Sequence, residues 1–209
     1  MSHDLRLLLL RHGTTDANEA GLFLGQTDVA LNARGRDEVR RLGARLASEP
    51  VDKLVSSDLR RARETAEAVA AQQSGAVAVV TEPALREIHL GDLDGRVARE
   101  VHAQHPELMA RWLADPANVR FPGPGGETLG EVAARAWEAI ERLRVAHPGG
   151  TVAVVSHTFT LLTILCRALD LDLSRFRQLH LDRASVTVLE WRRFGPTLVG
   201  LNDVGHLRP

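Results

Sequence analysis

Cysteine and lysine are almost missing from this 209-residue chain, and each scarcity closes off a kind of chemistry. Cys166 is the sole cysteine, which leaves no intrachain disulfide and no cysteine-based zinc site. It lies in the apolar stretch Leu161-Leu162-Thr163-Ile164-Leu165-Cys166, a core position by its surroundings. Six residues on stands Asp172 rather than arginine, so the phosphate loop of cysteine phosphatases is absent as well. Lys53 is the only lysine among 26 basic residues, and no G-x-x-x-x-G-K-S/T loop can be drawn around it, which removes the P-loop nucleotide enzymes. An excess of charge is missing too. With a net charge of -1, nothing global points to nucleic acid or an anionic membrane, and any pull on an anionic substrate must come from a local cluster. No apolar run approaches membrane length, and residues 1–10 lack a signal-peptide cleavage region. A cytoplasmic protein with neither nucleic-acid nor membrane partners is therefore expected. Repeats, low-complexity tracts and linkers are absent, so residues 1–209 read as one domain.

What is present alternates between strand and helix signals. Residues 7–10 are continuously apolar, as in a strand covered on both faces. Val39, Leu42, Gly43 and Leu46 recur at helical spacing and predict a helix over about 34–47. Residues 53–56 form a short strand, after which Asp58 is a suitable N-cap for a helix through about residue 73. Residues 76–80 are a third strand candidate. A helix over 100–113 precedes the loop Phe121-Pro122-Gly123-Pro124-Gly125-Gly126. Thr128 and Glu131 have capping-box spacing, and Leu129, Val132, Ala136, Ile140 and Leu143 give the next helix one apolar face. A buried strand over 151–155 ends at Ser156-His157 and leads into a helix to about residue 169. Strands at 186–191 and 197–201 close the chain as a hairpin around Gly195-Pro196. The fold class expected is α/β, a three-layer α/β/α sandwich with a mainly parallel central sheet.

Such a sheet binds ligands at the carboxyl ends of its strands. Arg11-His12-Gly13 ends the first strand, with a glycine that would let the backbone approach a substrate closely. His157 ends the late strand, and Ser56-Ser57 leads into a helix bearing Arg60, Arg61 and Arg63. The N-terminus of that helix would add free N–H donors. Two imidazoles and at least two guanidiniums on one sheet edge suit a phosphate dianion. On residue type alone, Arg61 reads equally well as part of a solvated helix face, Glu87 as a surface carboxylate and His157 as an ordinary strand-end histidine. The remaining histidines, His3, His89, His102, His105, His147, His180 and His206, read as surface or structural. His102-x-x-His105 has no evident carboxylate partner for a metal.

Six ordered blocks resemble the histidine phosphatase superfamily, the phosphoglycerate mutase-like family, over nearly the whole chain. Arg11-His12-Gly13-Thr14-Thr15-Asp16-Ala17-Asn18 is similar to its R-H-G-x-T-x-x-N opening, and Gly25-Gln26-Thr27-Asp28 with Leu31 to its G-x-x-D-x-x-L segment. Ser56-Ser57-Asp58-Leu59-Arg60-Arg61-Ala62-Arg63-Glu64-Thr65-Ala66 resembles S-S-x-L-x-R-A-x-x-T-A. Leu85-Arg86-Glu87-Ile88-His89-Leu90-Gly91 resembles the L-R-E-x-x-x-G stretch, and Gly125-Gly126-Glu127-Thr128 and Val155-Ser156-His157 match two further blocks. The resemblance implies a phosphoglycerate mutase-like fold and a phosphohistidine formed on His12. It further implies phosphate binding by Arg11, Arg61 and His157, proton transfer by Glu87, and no metal or other cofactor. Asn18, Gly25, Gln26 and Thr158 are assigned to substrate binding on the same ground. Thr158 departs from the family, which usually has glycine after the second histidine.

Mutases of the family carry a tyrosine after the glutamate block and commonly a tryptophan where Gln26 stands. This chain has no tyrosine at all, which favours hydrolysis of a small phosphorylated metabolite over mutase chemistry. A phospho-ligand sensor is a further alternative, although it would need the cations and not Glu87. Asp92-Leu93-Asp94-Gly95-Arg96 resembles the magnesium-binding motif of haloacid dehalogenase-type phosphatases, yet it lacks that motif's Thr and its place after a first strand. The segment 89–127 is expected to form a lid that sets the substrate. A homodimer through an edge strand or helix face stands as an open alternative to a monomer.

Overall fold

A computed structural model describes residues 4–208. Its six strands are β1 (Leu5–Arg11), β2 (Lys53–Ser56), β3 (Val79–Thr81), β4 (Thr151–Ser156), β5 (Val186–Arg192) and β6 (Gly195–Asp203). They form one sheet in the order β3-β2-β4-β1-β5-β6. The first four are mutually parallel, and β5 and β6 run antiparallel at one edge. The mainly parallel sandwich expected from the pattern is what the chain forms.

Alternation along β1 shows why there are three layers. Leu5, Leu7 and Leu9 enter one apolar cluster, while Leu8 and Leu10 enter another on the opposite face. The second cluster is covered by α2 (Ala33–Leu46) and α3 (Arg60–Ala70) through Val39, Leu42, Leu46, Ala62, Ala66 and Val69. The first is covered by α6 (Leu129–Ala146) and α7 (Thr158–Ala168), together with α4 (Ala98–Gln104) and α5 (Pro106–Ala114). A one-turn helix, α1 (Asp16–Glu19), follows β1 and carries a capping box between Thr15 and Asn18. The Thr128–Glu131 capping box starts α6 as expected. Cys166 is fully buried in the core, and burial pushes its thiol up to about 11.

Four local expectations need correction. Leu59 is the N-cap of α3, and Asp58 turns away to pair with Arg86, so an ion pair displaces the cap. The helix expected over 100–113 is two, because Pro106 has no N–H to continue α4 and starts α5 at its first position. The third strand occupies Val79–Thr81, later than its apolar run, because those residues pair with Leu54, Val55 and Ser56. The hairpin turns at Arg193-Phe194, and Gly195-Pro196 already belongs to β6.

Candidate active site

Parallel pairing places Arg11 beside Ser156 and Val155 beside Ser56, so β1, β4 and β2 end at one level. The next residue on each strand is His12, His157 and Ser57. The two imidazole rings lie 5.1 Å apart, close to the spacing of ~4.8 Å between neighbouring strands. His12 Nδ1 is 2.7 Å from the Gly13 carbonyl oxygen, which can only accept. The proton therefore sits on Nδ1, and Nε2 keeps its lone pair. His157 Nε2 is 2.9 Å from Ser57 Oγ.

Gly13 itself has a different role from the one expected. A Cβ there would stand 2.8 Å from the Gly35 carbonyl oxygen and from Val39, so this glycine admits α2 rather than a substrate.

Arg61 projects from the first turn of α3 and is wholly buried. Its Nη1 donates to the Thr27 carbonyl at 3.0 Å and its Nη2 to the Gly25 carbonyl at 2.7 Å. The 25–27 loop that supplies these acceptors is itself held by Asp94, whose carboxylate accepts the backbone N–H groups of Gly25, Gln26 and Thr27 at 2.8–2.9 Å. Asp94 lies after a short 3-10 turn at Gly91–Leu93 and not at the end of a first strand, which removes the haloacid dehalogenase reading. Arg11 donates to the Leu181 carbonyl at 2.5 Å.

Glu87 enters from the segment after β3 and is buried. Its Oε2 accepts from Phe159 N at 3.1 Å, and its Oε1 from Ile88 N at 3.0 Å and Thr160 N at 3.2 Å. The backbone carrying it is clamped by Arg135, which donates to the carbonyls of Ala84, Arg86 and Glu87 and pairs with Glu127. Gln26 Nε2 adds a bond to the Glu87 carbonyl at 3.0 Å. The helix N-termini are thus taken by protein carboxylates: α7 by Glu87, and the first N–H of α3 by Asp28 at 2.6 Å. Positive charge for an anion comes from side chains instead.

Electrostatics follow from this burial. His12 is held well below its ordinary pKa, first by desolvation and then by Arg61 and Arg11. His157 is lowered by desolvation and then by Arg61 and His12. Burial brings both Arg11 and Arg61 down to about 10, which leaves them charged at neutral pH. Glu87 is raised, because desolvation outweighs its three backbone N–H donors and Arg61.

A stability prediction arises here. Both imidazoles have folded pKa values below the unfolded value of about 6.5, so the unfolded chain binds protons first as the pH falls. Stability is full above about pH 6.5 and is lost below it, by up to about 1.4 kcal/mol per histidine between pH 7.5 and 5.5. Glu87 has the opposite sign, because its raised pKa lets the folded form take up a proton first. Urea denaturation at the two pH values should show His157→Asn making the fall smaller, by up to about 1.4 kcal/mol. An unchanged fall would show that His157 is not held neutral.

Of the residues singled out from sequence, His12, Arg11, Arg61, Glu87 and His157 come together as one electrostatically coupled group. Asn18 and Thr158 stand with Glu87 on the wall of an adjoining cavity of about 370 Å³. Gly25 and Gln26 do not line that cavity, and hold Arg61 and Glu87 in place instead. His102 is exposed, as expected of a surface residue, and its ring, edge-on to Phe23, also borders the cavity. His89 accepts the Gly91 N–H and His180 pairs with Asp182, both structural roles. His3 lies outside the described residues.

Three contributors escaped the sequence reading. Asp94 was legible only as part of a metal motif. Arg135 lies on a helix where exposed arginines are common. Arg183 lowers both Arg11 and His12 from a strap whose Ala184 N–H bonds to the carbonyls of Arg11 and His12 at 3.0 and 3.2 Å, and no motif marks it.

Comparison with known proteins agrees with this geometry. The model of the histidine phosphatase superfamily (branch 1) matches residues 7–204. Phosphoserine phosphatase 1 of Hydrogenobacter thermophilus is 33% identical over 203 residues, 97% of this chain and 94% of its own length. A metal-independent phosphoserine phosphatase of Arabidopsis thaliana is 32% identical, over 96% of this chain and 82% of its own. Among solved structures, a putative alpha-ribazole-5'-P phosphatase from Escherichia coli shares the fold with a TM-score of 0.85 at 27% identity, covering 96% of this chain and 97% of that one. The chain is a phosphoric monoester hydrolase. It belongs to the histidine phosphatase superfamily, in its first branch.

Proposed function

We propose that the chain hydrolyses a small phosphomonoester through a phosphohistidine on His12 Nε2, with its charge stabilisation supplied by side chains rather than by a metal. The observation that carries this reading is the His12 Nδ1–Gly13 bond, which leaves Nε2 unprotonated within the field of the buried Arg61 and half-buried Arg11 guanidiniums. Arg11, Arg61 and His157 bind the dianion. His12 Nε2 attacks phosphorus as the ester P–O bond breaks, and protonated Glu87 gives its proton to the leaving oxygen. Water then attacks the phosphohistidine, Glu87 takes its proton, and inorganic phosphate departs. The dianion adds negative charge next to Glu87 and favours its protonated form, the one needed for the first step. Arg11 and Arg61 are aimed where charge spreads over the transferring oxygens, the main demand of phosphoryl transfer.

The names of the relatives divide between an amino-acid ester and a nucleotide, so they support a small phosphorylated substrate without choosing one. Residues 89–127 wall the cavity beside Glu87 through Leu90, Met109, Trp112 and Phe121, which supports their reading as a substrate-covering segment of a single catalytic domain. A sensor would have no use for a buried carboxyl such as Glu87.

The test is hydrolysis of p-nitrophenyl phosphate and of an alkyl phosphate with excess EDTA, wild type beside Glu87→Gln. Activity should survive EDTA. The variant should lose about 10²- to 10⁴-fold on the alkyl ester, whose leaving group needs a proton, and far less on the nitrophenyl ester. Equal losses on both would remove Glu87 from the acid role, and loss to EDTA would overturn the metal-free mechanism.

A further inference from the structure

The geometry points to a substrate whose body, beyond its phosphate, is apolar: an aryl or longer-chain alkyl phosphomonoester rather than an amino-acid or sugar ester. This rests on the phosphatase reading above and names the substrate class of that same site. The chain is poor in aromatic residues, with five phenylalanines, three tryptophans and no tyrosine. Four of those phenylalanines, Phe23, Phe121, Phe159 and Phe176, and one tryptophan, Trp112, line the cavity that opens from Glu87.

The rings brace one another. Trp112 packs against Phe121, Phe159 and Phe176 at 5.4, 5.6 and 5.5 Å, and Phe159 meets Phe176 at 5.7 Å. A wall built this way is rigid before any ligand arrives, which lowers the entropic cost of binding. Its volume of about 370 Å³ suits a small organic body.

Polar groups on the wall are few, and they are placed for other work. Asn18, Thr158 and Glu87 stand at the phosphate end. Arg177 lies over the Phe176 ring at 5.2 Å and donates to the Leu113 carbonyl at 3.2 Å, and the His102 ring meets Phe23 edge-on at 5.9 Å. The ammonium group of a phosphorylated amino acid would find Glu87 as the cavity's one carboxylate, and pairing with it would remove the proton the leaving oxygen needs. Sugar hydroxyls would leave water for ring faces and go unpaired, which costs binding. Methylenes and aryl carbons lose nothing there.

The experiment uses ethyl, butyl and hexyl phosphate, whose leaving alcohols are nearly equal in basicity, together with O-phospho-L-serine. The expected kcat/KM rises about fourfold per added methylene, the factor given by full burial of one methylene, and so by about 250-fold from ethyl to hexyl. Phosphoserine should fall well below hexyl phosphate. Leu113→Glu places a charge on the cavity wall at a position already 37% exposed, where the fold tolerates it. The rise should then drop below about twofold per methylene. A flat series, or phosphoserine preferred over hexyl phosphate, would overturn the inference. Absence of turnover on every ester would instead overturn the phosphatase reading. In that event calorimetry with methyl- and hexylphosphonate decides the inference separately, since tighter hexyl binding upholds it and equal binding refutes it.

Discussion

Asparagine in place of His12 is expected to lower kcat by at least about 10⁴-fold on every phosphomonoester, because it removes the nucleophile, and His157, the other imidazole on this sheet edge, has its Nε2 tied to Ser57 Oγ. Asparagine is a sharper choice than alanine. Its side-chain N–H can still donate to the Gly13 carbonyl, the one hydrogen bond His12 makes through its ring. The substitution therefore removes the Nε2 lone pair while keeping the local tie. Inorganic phosphate should still bind, because Arg11, Arg61 and His157 remain. The measurements are single-turnover hydrolysis and acid-quench trapping of the phosphorylated protein, which should label the wild type and not the variant. Turnover in His12→Asn within tenfold of wild type would end the phosphohistidine mechanism.

Arg61 carries the second large effect. Methionine there should lower kcat/KM by about 10³-fold, since it removes a buried positive charge from the transferring oxygens. Lysine should recover less than tenfold of that loss. Its ammonium is a point charge that cannot reach the Gly25 and Thr27 carbonyls and the phosphate at once, as the forked guanidinium does. A purely structural role would predict the same kinetic loss, so the pH profile is the telling readout. Arg61 is the foremost charge lowering His12, second only to desolvation. In Arg61→Met the acid limb of kcat/KM should therefore move to higher pH. An unmoved limb would mean that Arg61 is not coupled to the nucleophile.

The legible parts of this protein were those with a repeating or local signal. Leu7 to Leu10 announced a strand covered on both faces, and the helices facing Leu8 and Leu10 showed the 3.6-residue rhythm that buries them. The five cationic and acidic site residues were readable together only through the ordered blocks that carry the family resemblance, since residue type alone left Arg61, Glu87 and His157 as ordinary surface or strand-end residues. What escaped was decided by tertiary partners. Asp58 had the residue type of a helix cap, yet it pairs with Arg86 and leaves the cap position to Leu59, a partner that no cap propensity encodes. Gln26 and Gly25 sit in a substrate-type loop, yet their hydrogen bonds go to Glu87 and Arg61. The split at Pro106 was available from local chemistry alone, and the apolar rhythm on both sides hid it.

The pairing of Arg11 with Ser156 has a consequence for how activity first arises. His12 and His157 are separated by most of the chain, and only the contact of β1 with β4 brings their rings within 5.1 Å. During synthesis the first half of the protein can emerge, collapse and even bury α2 and α3 without ever meeting its second imidazole. Catalysis switches on late, when the fourth strand inserts between the first two. Onset of turnover on a translating ribosome, or on mixing two complementary fragments cut between them, would clock the insertion of that strand.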